Sequence, residues 1–360
     1  MTFFRGLVVI LAALPCLAAD PLPLELVSRS PDMEGLQVQR PVWAPGETPA
    51  LVHEASDRSR RSVLRIVAAG RDPVLVPAAR SSRLAALGAG ADRADGAAAW
   101  WDAGGFFFTR SASGAVTAHY WDGVLRDLAR PPGRPVAIQR DPAGGLLVTL
   151  EDDEGLDLFR FGGTDLATEP RRLTRTPTAV EHSLTPLPDG SVAFIATTRE
   201  ETRLMRLTRS EVAEVRVPLR YELLSLAATA DGQLLAWTRR PERGHALVLV
   251  NLDTAEATTL AGDGLLPPGV APRPAVSPSG WVYYVRADPT AGNPVVRIRL
   301  RDGQRETLNL PTTGHQEVAV GSYPGDEGAQ DWLAVVAVGD VDGDDVANHL
   351  YLGAVPGSAP

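Results

Sequence analysis

Beyond its first nineteen residues the chain alternates short apolar runs with clusters of Pro, Gly, Asp and Ala, and stretches of helical period are nearly absent. Thirty prolines and thirty-four glycines leave few uninterrupted windows long enough for a helix, whereas short strands fit between them. One kind of turn recurs, as Ala44-Pro45-Gly46-Glu47, Asp102-Ala103-Gly104-Gly105, Asp141-Pro142-Ala143-Gly144, Pro188-Asp189-Gly190, Ala230-Asp231-Gly232, Ser277-Pro278-Ser279-Gly280 and the looser Pro324-Gly325-Asp326-Glu327-Gly328. Each follows a short run rich in Ala, Val, Leu or Trp and precedes a denser apolar run, as two strands meeting at a tight hairpin would.

After the Gly190 turn, Ser191-Val192-Ala193-Phe194-Ile195-Ala196 predicts a buried strand, residues 202–207 a more alternating one and residues 211–217 an outer one. The next turn leads to the same succession, with Leu234-Leu235-Ala236-Trp237, then residues 246–251, then residues 257–260. Several short strands in each period of roughly 40 to 50 residues are the signature of propeller blades. The expected fold is therefore all-β, a single β-propeller over residues 20–360. Seven turns predict seven blades, and a stretched interval at residues 80–96, rich in Ala, Gly and Arg, leaves six and eight as alternatives. The last blade would hold residues 317–322, 332–338 and 350–355 and lack an outer strand. Leu24-Glu25-Leu26-Val27-Ser28, which precedes the first blade, is expected to supply it and so to close the ring through a ladder of hydrogen bonds.

Residues 1–19 carry a different pattern: Arg5 gives a positive start, residues 6–14 an apolar core, and Leu17-Ala18-Ala19 small residues for cleavage. This is the layout of an export signal and predicts a periplasmic or secreted product. The apolar run is too short for a comfortable span and Pro15 interrupts it, so the mature chain is expected to have no transmembrane segment. A lipid anchor on Cys16 is the alternative, although Pro15 fits its cleavage pattern badly. Without Cys16 no cysteine remains, which excludes disulfides, thiolate nucleophiles and cysteine-ligated zinc. All thirty-five basic residues are arginine, and the absence of lysine excludes a P-loop lysine and Schiff-base chemistry. The formal charge of −9, or −10 once Arg5 is lost, disfavours a nucleic-acid partner. The local groups Arg58, Arg60, Arg61 and Arg171, Arg172, Arg175 sit among turn residues and read as solvated rims.

Candidate chemistry is sparse. No Gly-x-Ser-x-Gly pentapeptide occurs, and Gly321-Ser322-Tyr323-Pro324-Gly325 has its serine one place early. The six histidines show no His-x-x-x-His spacing. His182 and His315 fall near the start of inner strands, where with Glu181 and Glu317 they would line a polar funnel that hydrates the channel, holds a metal or meets a partner. Trp100, Trp101, Tyr120 and Trp121 are candidate anchors for a partner, with core packing of their own blade as the competing use. Asp340-Val341-Asp342-Gly343-Asp344-Asp345-Val346-Ala347-Asn348 places carboxylates at relative positions one, three and five and an amide at nine, a supply of hard oxygens that suits calcium. The stretch resembles the calcium loop of FG-GAP-type propeller repeats, and that likeness implies Asp340, Asp342, Asp344 and Asn348 as ligands of one calcium ion. Asp345 stands where that family has glycine, and a metal-free acidic hairpin suits the same residues. No other cofactor is expected.

At its turns the sequence resembles the TolB-type, WD40-like propeller repeat of bacterial periplasmic proteins. The likeness is carried by Pro41-Val42-Trp43-Ala44-Pro45-Gly46, Ala275-Val276-Ser277-Pro278-Ser279-Gly280, the closing phrase Glu169-Pro170-Arg171-Arg172-Leu173-Thr174, and its echo Thr254-Ala255-Glu256-Ala257-Thr258-Thr259-Leu260, and covers most of residues 36–355. Nothing here has the pattern of the α/β domain that precedes the TolB propeller, nor of the hydrolase domain of prolyl-oligopeptidase-type enzymes. The resemblance implies a propeller and leaves function open. The expected function is a non-enzymatic, monomeric scaffold that binds a protein or peptide partner in the cell envelope. The alternatives are a channel-mouth enzyme of lactonase or lyase type and a structural propeller stabilised by calcium.

Overall fold

In a computed structural model the chain is built almost wholly of β-strands, with one short 3-10 turn at Pro289–Ala291. The structure describes residues 22–356 other than 23, 29–36, 44–48, 57–61, 69–73, 76–92, 102–103, 111–115, 122–124, 128–132, 142–144, 154, 162–169, 177, 209–210, 218–221, 241–243, 264–272, 326–327 and 339–347. Among the described residues the strands fall into four-stranded antiparallel units in chain order. The first holds β2 (Gln37–Trp43), β3 (Ala50–Ser56), β4 (Ser62–Ala68) and β5 (Val74–Leu75). The second holds β6 (Arg93–Trp101), β7 (Gly104–Arg110), β8 (Val116–Trp121) and β9 (Leu125–Asp127). Then come β10 (Arg134–Arg140), β11 (Leu146–Asp152), β12 (Gly155–Phe161) and β13 (Arg171–Arg172), followed by β14 (Val180–Pro186), β15 (Val192–Thr197), β16 (Thr202–Leu207) and β17 (Val212–Glu214). These two units form one eight-stranded sheet because a parallel bridge joins Leu156 of β12 to Val180 of β14. The fifth and sixth units are β18 (Glu222–Ala228), β19 (Leu234–Arg240), β20 (Gly244–Val250), β21 (Ala257–Asp263), and β22 (Ala275–Val276), β23 (Trp281–Val285), β24 (Val295–Arg299), β25 (Arg305–Thr307).

The last unit draws on both ends of the chain: β26 (His315–Gly325), β27 (Gly328–Val338) and β28 (Asn348–Ala354) are completed by β1 (Glu25–Ser28), which pairs antiparallel with β28. The first strands of successive units touch in the order β2, β6, β10, β14, β18, β22, β26 and back to β2. Radially repeated sheets of this kind make a β-propeller, in which only short outer edges lack a partner.

The recurring turns join the first strand of a unit to its second. Leu187 N donates to Ser191 O at 2.9 Å and Gly190 N to Leu187 O at 3.0 Å, and the same two bonds recur at Thr229, Gly232 and Gln233 and at Ser277, Gly280 and Trp281. Gly190, Gly232 and Gly280 sit at φ of +82°, +85° and +82°, a conformation that side chains with a Cβ rarely adopt. The strand that leaves each of these three turns is buried on both faces. In β19, Leu234 and Ala236 pack with Leu187, Ala193 and Ile195 of the unit before, whereas Leu235 and Trp237 pack with Val282 and Tyr284 of the unit after. An unbroken apolar run is what a strand sandwiched between two neighbouring sheets requires. Each such side chain, removed fully from water, contributes about 1.5–3 kcal/mol before entropy is charged.

Closure of the ring rests on the same kind of packing. Leu51 of β3 joins Ala334, Val336, Leu350 and Leu352 of the last unit, with Trp43 against them. Trp43 approaches Tyr323 at 5.5 Å between ring centroids, over Gly321. On the far side Leu22 lies among Trp281, Tyr283, Leu333 and Val335 and donates its N–H to Asn309 O at 2.8 Å.

Candidate functional site on the first strands

The innermost strands depart from regular pairing. In six units the register between first and second strand slips, between Gln39 and Val42, Ala94 and Ala98, Pro135 and Ala137, His182 and Thr185, Leu223 and Ser225, and His315 and Glu317. A bulge of this kind bends the strand and re-aims the side chains beside it. It does so here on the strands that face the axis.

The β14 bulge shows the consequence. Ser183 sits at φ 55°, in the left-handed region, so its side chain turns toward that of its neighbour rather than to the opposite face. His182 Nδ1 then lies 3.2 Å from Ser183 Oγ, and Nε2 lies 2.9 Å from Thr197 Oγ1. Ser183 also donates to Leu224 O of the next unit at 3.4 Å. Burial lowers the His182 pKa below its ordinary value, which keeps the ring neutral at pH 7. A neutral imidazole between two hydroxyls can accept a proton or a hydrogen bond from a bound group.

Charged partners follow on neighbouring units. Arg239 Nε donates to Glu222 Oε2 at 2.7 Å, and Arg273 stands 4.0 Å from Glu317 across the sixth and seventh units. His182, Glu222 and Glu317 all lie near the starting ends of first strands. Because the repeat carries those strands around the axis in one sense, these ends share one end of the channel.

The structure separates the residues that the sequence placed together. His182 stands on β14 with part of its surface exposed, as a mouth residue should. His315 does not: it is 4% exposed, with Nδ1 2.9 Å from Asn293 O and Nε2 3.0 Å from Thr312 Oγ1, and burial holds its pKa down as well. It ties the sixth unit to the seventh and offers nothing to a partner. Glu181 also turns away from the channel. It is 1% exposed and accepts hydrogen bonds from Leu158 N at 3.1 Å, Thr176 Oγ1 at 2.9 Å and Thr174 Oγ1. Desolvation raises its pKa, and the carboxylate of Asp157, itself bound by Arg172, raises it further.

Trp100 and Trp101 end β6, and Tyr120 and Trp121 end β8. The backbones of Trp100 and Trp121 share a row, since Trp100 is opposite Gly105 and Gly105 is opposite Trp121. Asp340, Asp342 and Asp344 fall outside the described residues, in the connection from β27 to β28, and Asn348 opens β28. Among the described residues no group of three or more His, Cys, Asp or Glu is placed to hold a metal ion. No described helix is long and apolar enough to cross a membrane. Ser183, Thr197 and Arg273 had no sequence signal as site residues, because a register slip and a contact between units bring them into place.

No protein-family model and no curated protein sequence matches the chain. Solved structures match its fold. YCF48 bound to D1 peptide is similar with a TM-score of 0.59 and 12% identity, over 96% of this chain and 99% of that one. A catalytically inactive virginiamycin B lyase from Staphylococcus aureus with quinupristin is similar with a TM-score of 0.57 and 11% identity, over 93% of this chain and 100% of that one. A puromycin hydrolase mutant complexed with PGG is similar with a TM-score of 0.61 and 17% identity, over 86% of this chain and 54% of that one. What these likenesses show is the shared fold, a β-propeller, on which a peptide-bound protein and two enzymes are built.

Proposed function

We propose that the chain is a seven-bladed, TolB-like propeller of the periplasm or the secreted space that binds a protein or peptide partner without catalysing a reaction. The observation that carries this reading is the slipped register of six first strands, which leaves polar side chains of several units part-exposed around one end of the ring. His182, Glu222 and Glu317 lie on three different units there, a spread that suits an extended ligand better than a single reacting atom. The exposed Glu222–Arg239 pair is weak in water, so a partner that substitutes its own charges there loses little. YCF48, similar over nearly the whole of both chains, supports the reading because it is seen with a peptide bound. Monomeric behaviour belongs to the same proposal.

A channel-mouth enzyme is the second reading, favoured by Ser183, whose strained backbone sets its hydroxyl beside a neutral His182 that Thr197 orients. One experiment separates the two. The immobilised protein is exposed to an envelope extract, and hydrogen exchange is then measured on the recovered complex. Protection of β14, β18 and β26 amides supports the scaffold, whereas absence of a reproducible partner, or protection that spares all three strands, removes it.

A further inference from the structure

A second site lies on the outer strands, away from the channel. The edges of the third and fourth units enclose an open cleft of ≈ 210 Å³ whose lining includes Arg160, Arg171, Leu173, Leu207, Glu211 and Val212. Arg160 and Arg171 are direct cross-strand partners on β12 and β13, two like charges in the arrangement that destabilises a ladder when nothing lies between them. Arg160 is fixed by the wholly buried Asp141, which engages its Nε and leaves donors over. Arg171 is exposed and has no ion pair among the described residues. The opposite wall sets two apolar partners across β16 and β17, the buried Leu207 and the 36% exposed Val212, beside Thr208 and Glu211.

From this pairing we infer that the cleft binds an α-carboxylate attached to an apolar side chain, with the carboxylate on the guanidinium groups of Arg160 and Arg171 and the side chain on Leu173, Leu207 and Val212. Two guanidinium forks one strand apart match the oxygens of a carboxylate, and an anion between them converts their repulsion into attraction. The volume admits one residue rather than a folded domain. Free amino acids and peptide C-termini share this chemistry, and Glu211 on the same lining favours the free amino acid, whose ammonium it would accept.

Calorimetric titration of the full chain with L-leucine, N-acetyl-L-leucine and L-leucinamide tests the site. Saturable binding of the first two, with leucinamide at least about tenfold weaker, is the expected result. Tighter binding of L-leucine than of its acetyl derivative assigns the free amino acid, and the reverse order assigns a peptide end. Arg171→Ala should weaken the carboxylate ligands by about tenfold or more, and Arg171→Lys by less, because lysine keeps the charge and loses the fork. Arg171→Lys should keep the wild-type melting temperature and Arg171→Ala should melt at or slightly above it, since Arg171 is exposed, holds no partner in place and only the alanine relieves the like-charge pair. Equal binding of leucinamide, an Arg171→Ala variant that binds as wild type, or no saturable binding by any of the three overturns the assignment. The scaffold reading is unaffected by that outcome, because its own test reports on the first strands.

Discussion

Deletion of residues 22–28 would show whether the N-terminal segment holds the ring shut. Leu22 is 8% exposed and belongs to a cluster with Trp281, Tyr283, Val285, Val335 and Val355. Truncating a leucine so placed costs about 2–5 kcal/mol, through lost transfer energy and the cavity left behind. β1 adds the register pairs Glu25–Leu352, Leu26–Tyr351 and Ser28–Leu350, and a net ladder bond is worth about 1 kcal/mol. The two contributions together come to about 5 kcal/mol, as large as the whole stability of a marginal domain, which starts near 5 kcal/mol. Leu22→Ala should therefore remove about 3 kcal/mol and the deletion about 5 kcal/mol, read from urea unfolding followed by tryptophan fluorescence. Trp281, in the same cluster, is one of the seven tryptophans that report the transition. A deleted protein whose urea midpoint stays at the wild-type value would refute the closing role of β1 and leave β28 as a free edge.

Gly321→Ala should destabilise by about 1–3 kcal/mol, because the new Cβ would stand 2.8 Å from the Trp43 ring and 2.8 Å from Tyr323. Thermal unfolding in a Trp43→Leu background checks the cause, since a penalty of undiminished size there would show that the clash is not with Trp43. Glu181 and His315 should give opposite pH dependences. The Glu181 pKa is raised on folding, so its contribution is complete below the unfolded value of about 4.5 and is lost as pH rises through the folded value. Denaturant titrations from acid to neutral pH should show wild type losing ground to Glu181→Gln as pH climbs, and parallel curves would exclude burial as the cause. The His315 pKa is lowered, so its contribution is present above about 6.5 and is lost as pH falls from there toward the folded value. His315→Gln should lack that loss, which the same titrations detect.

The sequence and the structure agree where a physical requirement is written into one residue's identity. Gly190, Gly232 and Gly280 have positive φ, and the turn that demands it repeats, so the hairpin between the first and second strand of each of these units was legible. The sandwiched strands were legible because burial on both faces leaves an unbroken apolar run, as in Leu234-Leu235-Ala236-Trp237. The pairing of β1 with β28 could be expected by counting, since the last unit was one strand short. Register slips carry no such mark. Leu224 and Gln316, skipped in the pairing of β18 and β26, are ordinary strand residues, and only the assembled ladder shows them set aside.

For that reason proximity in sequence misled at the channel. Strand alternation sends Glu181 to the face opposite His182, into the seam with Asp157, and the turned backbone at Ser183 brings serine and histidine together instead. His315 opens its strand as expected, yet the chain around Asn293 covers it. A repeat specifies what every unit must do to pack, and it is indifferent to what any one unit does beyond that. The places where this chain breaks its own local rules are therefore the places to look for binding: a left-handed serine on an inner strand, and two arginines set opposite each other across β12 and β13. The left-handed backbone at Ser183 costs stability in the free protein, and a carboxylate between the guanidinium groups would relieve the like-charge opposition that Asp141, bound to Arg160 alone, leaves at Arg171.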